Sequence, residues 1–137
     1  MNFRAVALTA SAITFVLGLG YLVAGAAVVG RWGLEPTTAV LLLGRRMGAL
    51  YLGLSIIFFL ARSAPPAPLR TALCAGTAFA CLALAALGIY ERSVQHAGPG
   101  ILLSAAIETL LALGFIAVIL RDRSGTTGSA APVIAPH

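Results

Sequence analysis

The 137-residue sequence contains no lysine and very few charged residues of any kind. Only 9% of its residues are charged and 60% are apolar, whereas soluble domains carry about 25% charged residues. A water-soluble domain of this size could not cover its surface with so few polar groups. An extended disordered chain would also need far fewer apolar residues. The composition therefore excludes both classes of protein.

Cysteine and clustered metal ligands are also scarce. The two cysteines, Cys74 and Cys81, are seven residues apart in one apolar block. On a helix this is about 10 Å of rise, which is too far for a disulfide. Because the sequence has no C-x-x-C motif and no paired His, Cys or carboxylate ligands, we expect no metal, no cofactor and no thiol redox chemistry.

Basic residues are present but do not form a nucleic-acid-binding pattern. All nine are arginines, scattered singly or in pairs between apolar blocks. Nucleic-acid binding needs a basic stripe or patch, so we expect no nucleic-acid partner. Arginines that flank apolar blocks are instead typical of membrane topology.

The most prominent feature of the sequence is four long apolar blocks. A membrane-spanning helix needs about 20 apolar residues, and because the connections are short, neighbouring helices must run antiparallel. We predict an all-α integral membrane protein with an up-down-up-down four-helix bundle over residues 1–122 and a flexible tail over 123–137. The predicted spans cover residues 5–29, 37–61, 68–90 and 100–120.

The arginine distribution predicts the orientation of these spans. Loops on one side contain only Arg31 and Arg92, each accompanied by a glutamate. The positive-inside rule therefore places both termini in the cytoplasm of a multi-pass cell-membrane protein. A cleaved signal peptide is the alternative for the first block, but its apolar run exceeds the core of about 7–15 residues that such peptides have. The opposite side carries Arg4, Arg62, Arg70, Arg121 and Arg123.

Three ionisable residues, Arg45, Arg46 and Glu108, interrupt the spans. A charge at the bilayer centre costs about 2.5–3.5 kcal/mol on insertion scales, so each needs an explanation. Arg45 and Glu108 both lie nine residues beyond the proline that opens their span, about 13 Å below the helix start. Counting the same distance in the other spans reaches Tyr21 and Cys81. These residues predict a polar layer in the outer half of the bundle.

The two arginines allow three interpretations. They could anchor the span at the membrane interface, form a structural ion pair with Glu108, or bind a ligand or ion. Adjacent helix residues point about 100° apart, so only one arginine can pair with Glu108. The other would reach the headgroups, a second subunit or an anion. Our candidates for ligand binding or ion pairing are therefore Arg45, Arg46, Glu108 and Tyr21.

Small residues are spaced for close helix packing. The motif Gly44-x-x-x-Gly48 lies in the second block, and this spacing lets helix backbones approach each other in lipid. We expect the motif to serve packing within the bundle rather than a dimer interface.

Two stretches resemble the small bacterial four-helix membrane proteins described as DoxX-like. They are Gly-Tyr-Leu-Val-Ala-Gly over residues 20–25 and Leu-Leu-Gly-Arg-Arg-Met-Gly-Ala-Leu-Tyr-Leu-Gly-Leu over residues 42–54. The resemblance implies the four-helix architecture. Many members of such families have no assigned activity, so it implies no catalytic residues. The double arginine departs from the family pattern.

Three functions are compatible with these features. The first is a non-enzymatic membrane component that binds a partner protein or lipid, with the arginines anchoring anionic headgroups. The second is a small anion- or proton-coupled transporter or channel that works as an oligomer, with Glu108 as its proton-linked carboxylate. The third is an intramembrane enzyme using Glu108 with Tyr21 and His96. Because no catalytic set is evident, the first is favoured, with an anionic lipid, a small anion, a second copy or a membrane protein as partner.

Overall fold

The computed structural model describes residues 2–127, and all regular secondary structure in this range is helical. Four of the helices are long and apolar enough to cross a membrane, as a multi-pass membrane protein requires. The predicted all-α class and the four candidate spans are therefore confirmed. The helices are α1 (Phe3–Val23), α2 (Gly25–Gly30), α3 (Thr38–Ala61), α4 (Pro68–Ser93) and α5 (Ile101–Thr127).

The helices begin at residues whose side chains suit a helix start. The Asn2 side chain accepts a hydrogen bond from the Arg4 N–H at the start of α1, and Thr37 does the same for Val40 in α3. Such caps satisfy backbone N–H groups that have no partner inside the helix. Pro68 opens α4, where its missing N–H costs nothing.

The first span differs from the prediction at its C-terminal end. We predicted a continuous helix to Val29, but α1 ends at Val23 and a short second helix follows. Ala24 leaves the helical region, with φ −129° and ψ 36°, although its N–H still donates to the Gly20 carbonyl at 2.8 Å. Gly25 directly follows the break, and glycine favours helix less than other residues apart from proline. Hydropathy is uniform across this point, so an apolar run does not reveal the break.

Helix α5 extends further than predicted. It continues to Thr127, whereas the predicted tail begins at residue 123. Asp122 near its end is tied to α4 by an ion pair, which holds the last turns against the preceding helix. The remainder of the predicted tail lies outside the described residues.

The long helices associate as two antiparallel pairs. Helix α1 packs along α3 and α4 along α5, whereas α1 and α5 contact each other much less. Ser11 in α1 exchanges hydrogen bonds of 2.9 Å with Ser55 in α3, from each hydroxyl to the other residue's carbonyl. Further along α1, Gly18 meets Gly48, which precedes Ser55 in the chain. This reversed order of contacts shows that α1 and α3 run in opposite directions. Helices α4 and α5 do the same, because Arg70 pairs with Asp122 and Gly88 lies against Ile101.

The buried core lies at the end of the molecule that carries the N-terminus. It draws apolar side chains from all four long helices, and the rings of Phe58 and Phe115 lie 5.5 Å apart at its centre. This core cluster joins the two helix pairs at one end. Its members are Phe3, Val6, Ala7, Ala10, Phe58, Cys74, Ala78, Phe115 and Val118.

An ion pair closes the same end. Arg70 in α4 donates from Nε to Asp122 Oδ2 at 3.1 Å and from Nη2 to Oδ1. Its Nη1 donates to the Ala64 carbonyl at 2.8 Å, and its guanidinium carbon lies 4.8 Å from the centre of the Phe3 ring. One arginine therefore ties α1, α4, α5 and a connecting loop together.

Candidate functional site

Each long helix carries an ionisable side chain on the face toward its neighbours, at a distance from the core cluster. Each of these residues has a buried residue of its own helix three or four positions away on at least one side. Positions three and four apart share one helix face, so these side chains project toward the other helices. They are Tyr21 in α1, Tyr51 in α3, Cys81 in α4 and Glu108 in α5.

These four residues lie near one another. Glu108 is close enough to Tyr21, Tyr51 and Cys81 to act electrostatically on each of them. The sequence placed Tyr21, Cys81 and Glu108 at a common depth together with Arg45 or Arg46. The structure has both arginines exposed on α3 instead, and it adds Tyr51 to the other three. We call these four residues the polar layer.

A cavity of about 370 Å³ opens beside the polar layer, between α1 and α5. Its volume is within the range of small-molecule sites, about 300–1,000 Å³. Its polar lining consists of Tyr21, Trp32, Tyr51, Ser104 and Glu108. Its apolar lining consists of Ala12, Ile13, Val16, Leu17 and Ile107.

Three aromatic rings define the shape of this cavity. The Tyr21 and Trp32 ring centres are 6.1 Å apart with their planes at 67°. Tyr21 and Tyr51 are also 6.1 Å apart, with nearly parallel planes at 13°. Tyr21 is buried, and its ring contacts both of the other two.

Two connecting loops hold Trp32 in place. The Trp32 backbone N–H donates to the Val29 carbonyl at 3.0 Å, and the Trp32 backbone carbonyl accepts from the Gly98 backbone N–H at 2.5 Å. A Cβ on Gly98 would lie 3.1 Å from that carbonyl oxygen, so the close approach suits glycine. Gly33 turns the chain with φ +74°, a conformation that glycine adopts readily. The α4–α5 loop thus holds the backbone of Trp32 in the α2–α3 loop.

A second cavity continues the first along α1 and α5. It has a volume of about 280 Å³, and Ile13 and Ile107 border both cavities. Together the two cavities form one partly open groove, which we call the α1–α5 groove. Its second half is lined by Ala5, Val6, Thr9, Ile13, Ile107, Leu110, Leu111 and Gly114. The groove is therefore polar and aromatic at one end and almost wholly apolar at the other.

The ion pair between an arginine and Glu108, one of the three interpretations of the double arginine, is not formed. Within residues 2–127, neither Arg45 nor Arg46 is within ion-pair distance of Glu108, and its carboxylate accepts no hydrogen bond. The reason is the rotation of α3. Gly44 and Gly48 occupy the face toward α1, and successive residues turn by about 100°, which carries both arginines off that face.

The two arginines are exposed at the surface of α3. Arg45 lines a separate cavity of about 370 Å³ beside the break between α1 and α2. Long arginine side chains on a membrane span can reach the headgroups while their stems cover apolar surface. The positions fit the anchoring interpretation of the arginines, and Arg45 also borders a cavity large enough for an anion.

His96 lies away from the polar layer. It is exposed, and its Nδ1 is 3.0 Å from Oε2 of Glu91, five residues earlier. It does not line the cavity that Glu108 borders. The described part of the chain contains no group of three or more His, Cys, Asp or Glu residues that could hold a metal ion.

Sequence reasoning missed Tyr51, although a signal for it exists. Gly44, Gly48, Ser55 and Phe58 are the buried residues of α3, and Tyr51 falls between them at the same alternating spacing of four and three. That spacing marks one helix face. The residues around Tyr51 in the sequence are small or apolar, so residue type alone does not distinguish it as a site residue.

Comparison of the chain with family models, with curated proteins and with solved structures found no match. A function for the protein therefore has to come from the geometry and chemistry of the site.

Proposed function

We propose that this protein is a non-enzymatic membrane component that binds an amphipathic, lipid-like small molecule in the α1–α5 groove. The observation that carries this proposal is the division of the groove into two unlike halves. One half has three aromatic rings, two of them phenols, together with a serine hydroxyl and a carboxylate. The other half is lined almost entirely by aliphatic side chains. An amphipathic molecule places its polar group in the first half and its apolar chain in the second.

We also propose that the four long helices form an up-down-up-down bundle with both termini in the cytoplasm. The antiparallel pairing of α1 with α3 and of α4 with α5 supports this arrangement, as does the excess of arginine on one side. The polar layer then lies in the outer half of the membrane and the core cluster in the inner half. The stretches over residues 20–25 and 42–54 support a relationship to DoxX-like proteins.

The bilayer is the natural source of such a ligand. Helices α1 and α5 contact each other less than either contacts its own partner, which leaves the groove between them. Residues that line it are strongly exposed along its edge: Val16 is 67% exposed and Leu110 is 69% exposed. A molecule dissolved in the membrane can therefore enter the groove from the side.

Arg45 and Arg46, which are exposed on α3, anchor that helix to anionic headgroups in this proposal.

The proposal is tested by blocking the groove at its midpoint. Ile107 borders both halves, so Ile107→Trp should fill the passage between them. Leu103→Trp is the matched control, because Leu103 lies four residues earlier on α5, is 65% exposed and lines neither half of the groove. Native mass spectrometry of protein released from gentle detergent should show bound lipid-like mass in the wild type and Leu103→Trp, but not in Ile107→Trp. Equal retention in both variants would contradict the proposal.

A small proton-coupled transporter is the second candidate function. It is favoured by one observation, the Glu108 carboxylate that borders the cavity without an ion-pair partner among the described residues. Carboxylates inside membrane spans often serve proton relays. Four short spans would need a second copy of the chain to enclose a path. If the protein is such a transporter, Glu108→Gln should abolish proton flux into proteoliposomes. The bound mass seen by native mass spectrometry should stay unchanged.

A further inference from the structure

The polar end of the α1–α5 groove has a charge of one sign only. Its lining contains one carboxylate, Glu108, and no basic residue. Among the described arginines, Arg45 borders the separate cavity at the α1–α2 break, and Arg31, which precedes Trp32 in the chain, is exposed. The faces of Tyr21, Tyr51 and Trp32 add partial negative charge, because the face of an aromatic ring is electron-rich.

We infer that the groove binds a free, single-chain lipophilic ammonium compound, with its cationic group against Glu108 and the three aromatic rings and its alkyl chain along the apolar half. This inference rests on the proposed function, since it names the chemical class of ligand for the same groove.

The arrangement of rings suits an ammonium group better than a neutral polar group. Cations bind within about 6 Å of an aromatic ring centre, and quaternary ammonium groups are recognised by sets of such rings. Tyr21 and Trp32 stand at a steep angle to each other, so they form two adjoining walls. Tyr51 stacks against Tyr21 with a nearly parallel ring plane, and Glu108 supplies the formal counter-charge.

The same site disfavours a phospholipid. A phospholipid headgroup would bring its phosphate close to the Glu108 carboxylate, and like charges repel strongly where water is scarce. Cavities of about 370 and 280 Å³ match a drug-sized molecule rather than a lipid with two chains. A single-chain amine avoids both conflicts.

Trp32 makes the inference measurable. It is the only tryptophan in the sequence and lines the polar end of the groove, so its fluorescence reports occupancy there. The intact protein in an uncharged maltoside detergent should be titrated with dodecyltrimethylammonium. We expect a saturable fluorescence change. Dodecylphosphocholine, which has a phosphate between its alkyl chain and its trimethylammonium group, and dodecyl sulfate should bind at least tenfold more weakly.

Matched substitutions identify the source of the affinity. Glu108→Gln should weaken the binding of dodecyltrimethylammonium at least tenfold. It should change the binding of uncharged dodecanol by less than twofold. Glu35→Gln makes the same charge change in an exposed loop and should leave both unchanged. A thermal unfolding scan should show that Glu108→Gln remains folded, as expected for a carboxylate without an ion-pair partner in the described chain.

The outcomes separate this inference from the proposed function. If dodecanol and the cation bind alike and Glu108→Gln affects neither, the inference is overturned while amphiphile binding stands. If dodecylphosphocholine binds as tightly as dodecyltrimethylammonium, the site accepts a lipid headgroup and the free-ammonium assignment fails. If no probe gives a saturable change, both the inference and the proposed function fail.

Discussion

Two carboxylates in the helices, those of Asp122 and Glu108, differ in whether they form an ion pair with a described residue. Asp122 is held by Arg70 through two hydrogen bonds, and the Arg70 side chain is only 9% exposed. Glu108 has no ion-pair partner among residues 2–127 and borders a cavity. A charge that is fully paired within the fold serves stability. One that faces a cavity without a partner is available to a ligand.

At the residue scale, we predict that Asp122→Asn destabilises the protein. Removing one partner of a buried ion pair leaves the other charge uncompensated, which costs about 3–5 kcal/mol. Because the Asp122 side chain is 20% exposed, we expect the lower end, about 3 kcal/mol. Thermal or denaturant unfolding in detergent would measure it, with Glu35→Gln as the control. A wild-type unfolding profile for Asp122→Asn would contradict a structural role for the pair.

At the element scale, the contact between α1 and α3 depends on glycine. A Cβ on Gly48 would lie 2.9 Å from the Gly18 carbonyl oxygen, and one on Gly18 would lie 2.9 Å from the Gly48 oxygen. A Cβ on Gly44 would likewise lie 3.2 Å from a ring carbon of Tyr21. The predicted internal packing role of Gly44-x-x-x-Gly48 is thereby confirmed.

We predict opposite effects for two alanine substitutions in α3. Gly48→Ala should force the helices apart and destabilise the protein by about 1–3 kcal/mol, the usual cost of overpacking. Gly53→Ala should be neutral or stabilising by up to about 1 kcal/mol, because nothing lies within 4 Å of the new methyl group and alanine favours helix. Unfolding measurements on the pair would decide this. Equal stability of the two variants would count against the close α1–α3 contact.

The four long helices were predictable from the sequence because each depends on a long apolar run. The rotation of α3 was not predicted, because it depends on which face the glycines present to α1. That rotation turns Arg45 and Arg46 outward and Tyr51 inward. The break at Ala24 also escaped prediction, since the residues on both sides of it are equally apolar. Depth along a helix could be counted from the sequence, whereas direction around the helix required the packing partner.

At the scale of the whole molecule, the two ends differ. The end with the N-terminus is closed by the core cluster and the Arg70–Asp122 pair. The other end contains the polar layer and is capped by the hydrogen bond between Trp32 and Gly98. The groove runs from the polar layer toward the core cluster, and the side of the membrane that its polar end faces depends on the orientation of the chain.

Orientation is tested by single cysteines in the connecting loops. Cys74 and Cys81 are first replaced by alanine, and Glu35→Cys and Ser63→Cys are then made separately; both positions are exposed. If both termini are cytoplasmic, a membrane-impermeant maleimide should label Glu35→Cys in intact cells and Ser63→Cys only after lysis. The reverse labelling pattern would invert the proposed topology.

The central claim is that an amphipathic ligand occupies the α1–α5 groove. The most direct measurement is photolabelling with a dodecyltrimethylammonium analogue that carries a diazirine at the end of its chain, followed by peptide mass spectrometry. We predict labelling of residues 5–13 in α1 and 107–114 in α5, with its loss in Ile107→Trp. Labelling spread equally over the lipid-exposed face of α3, at Leu43 and Leu50, would contradict the claim.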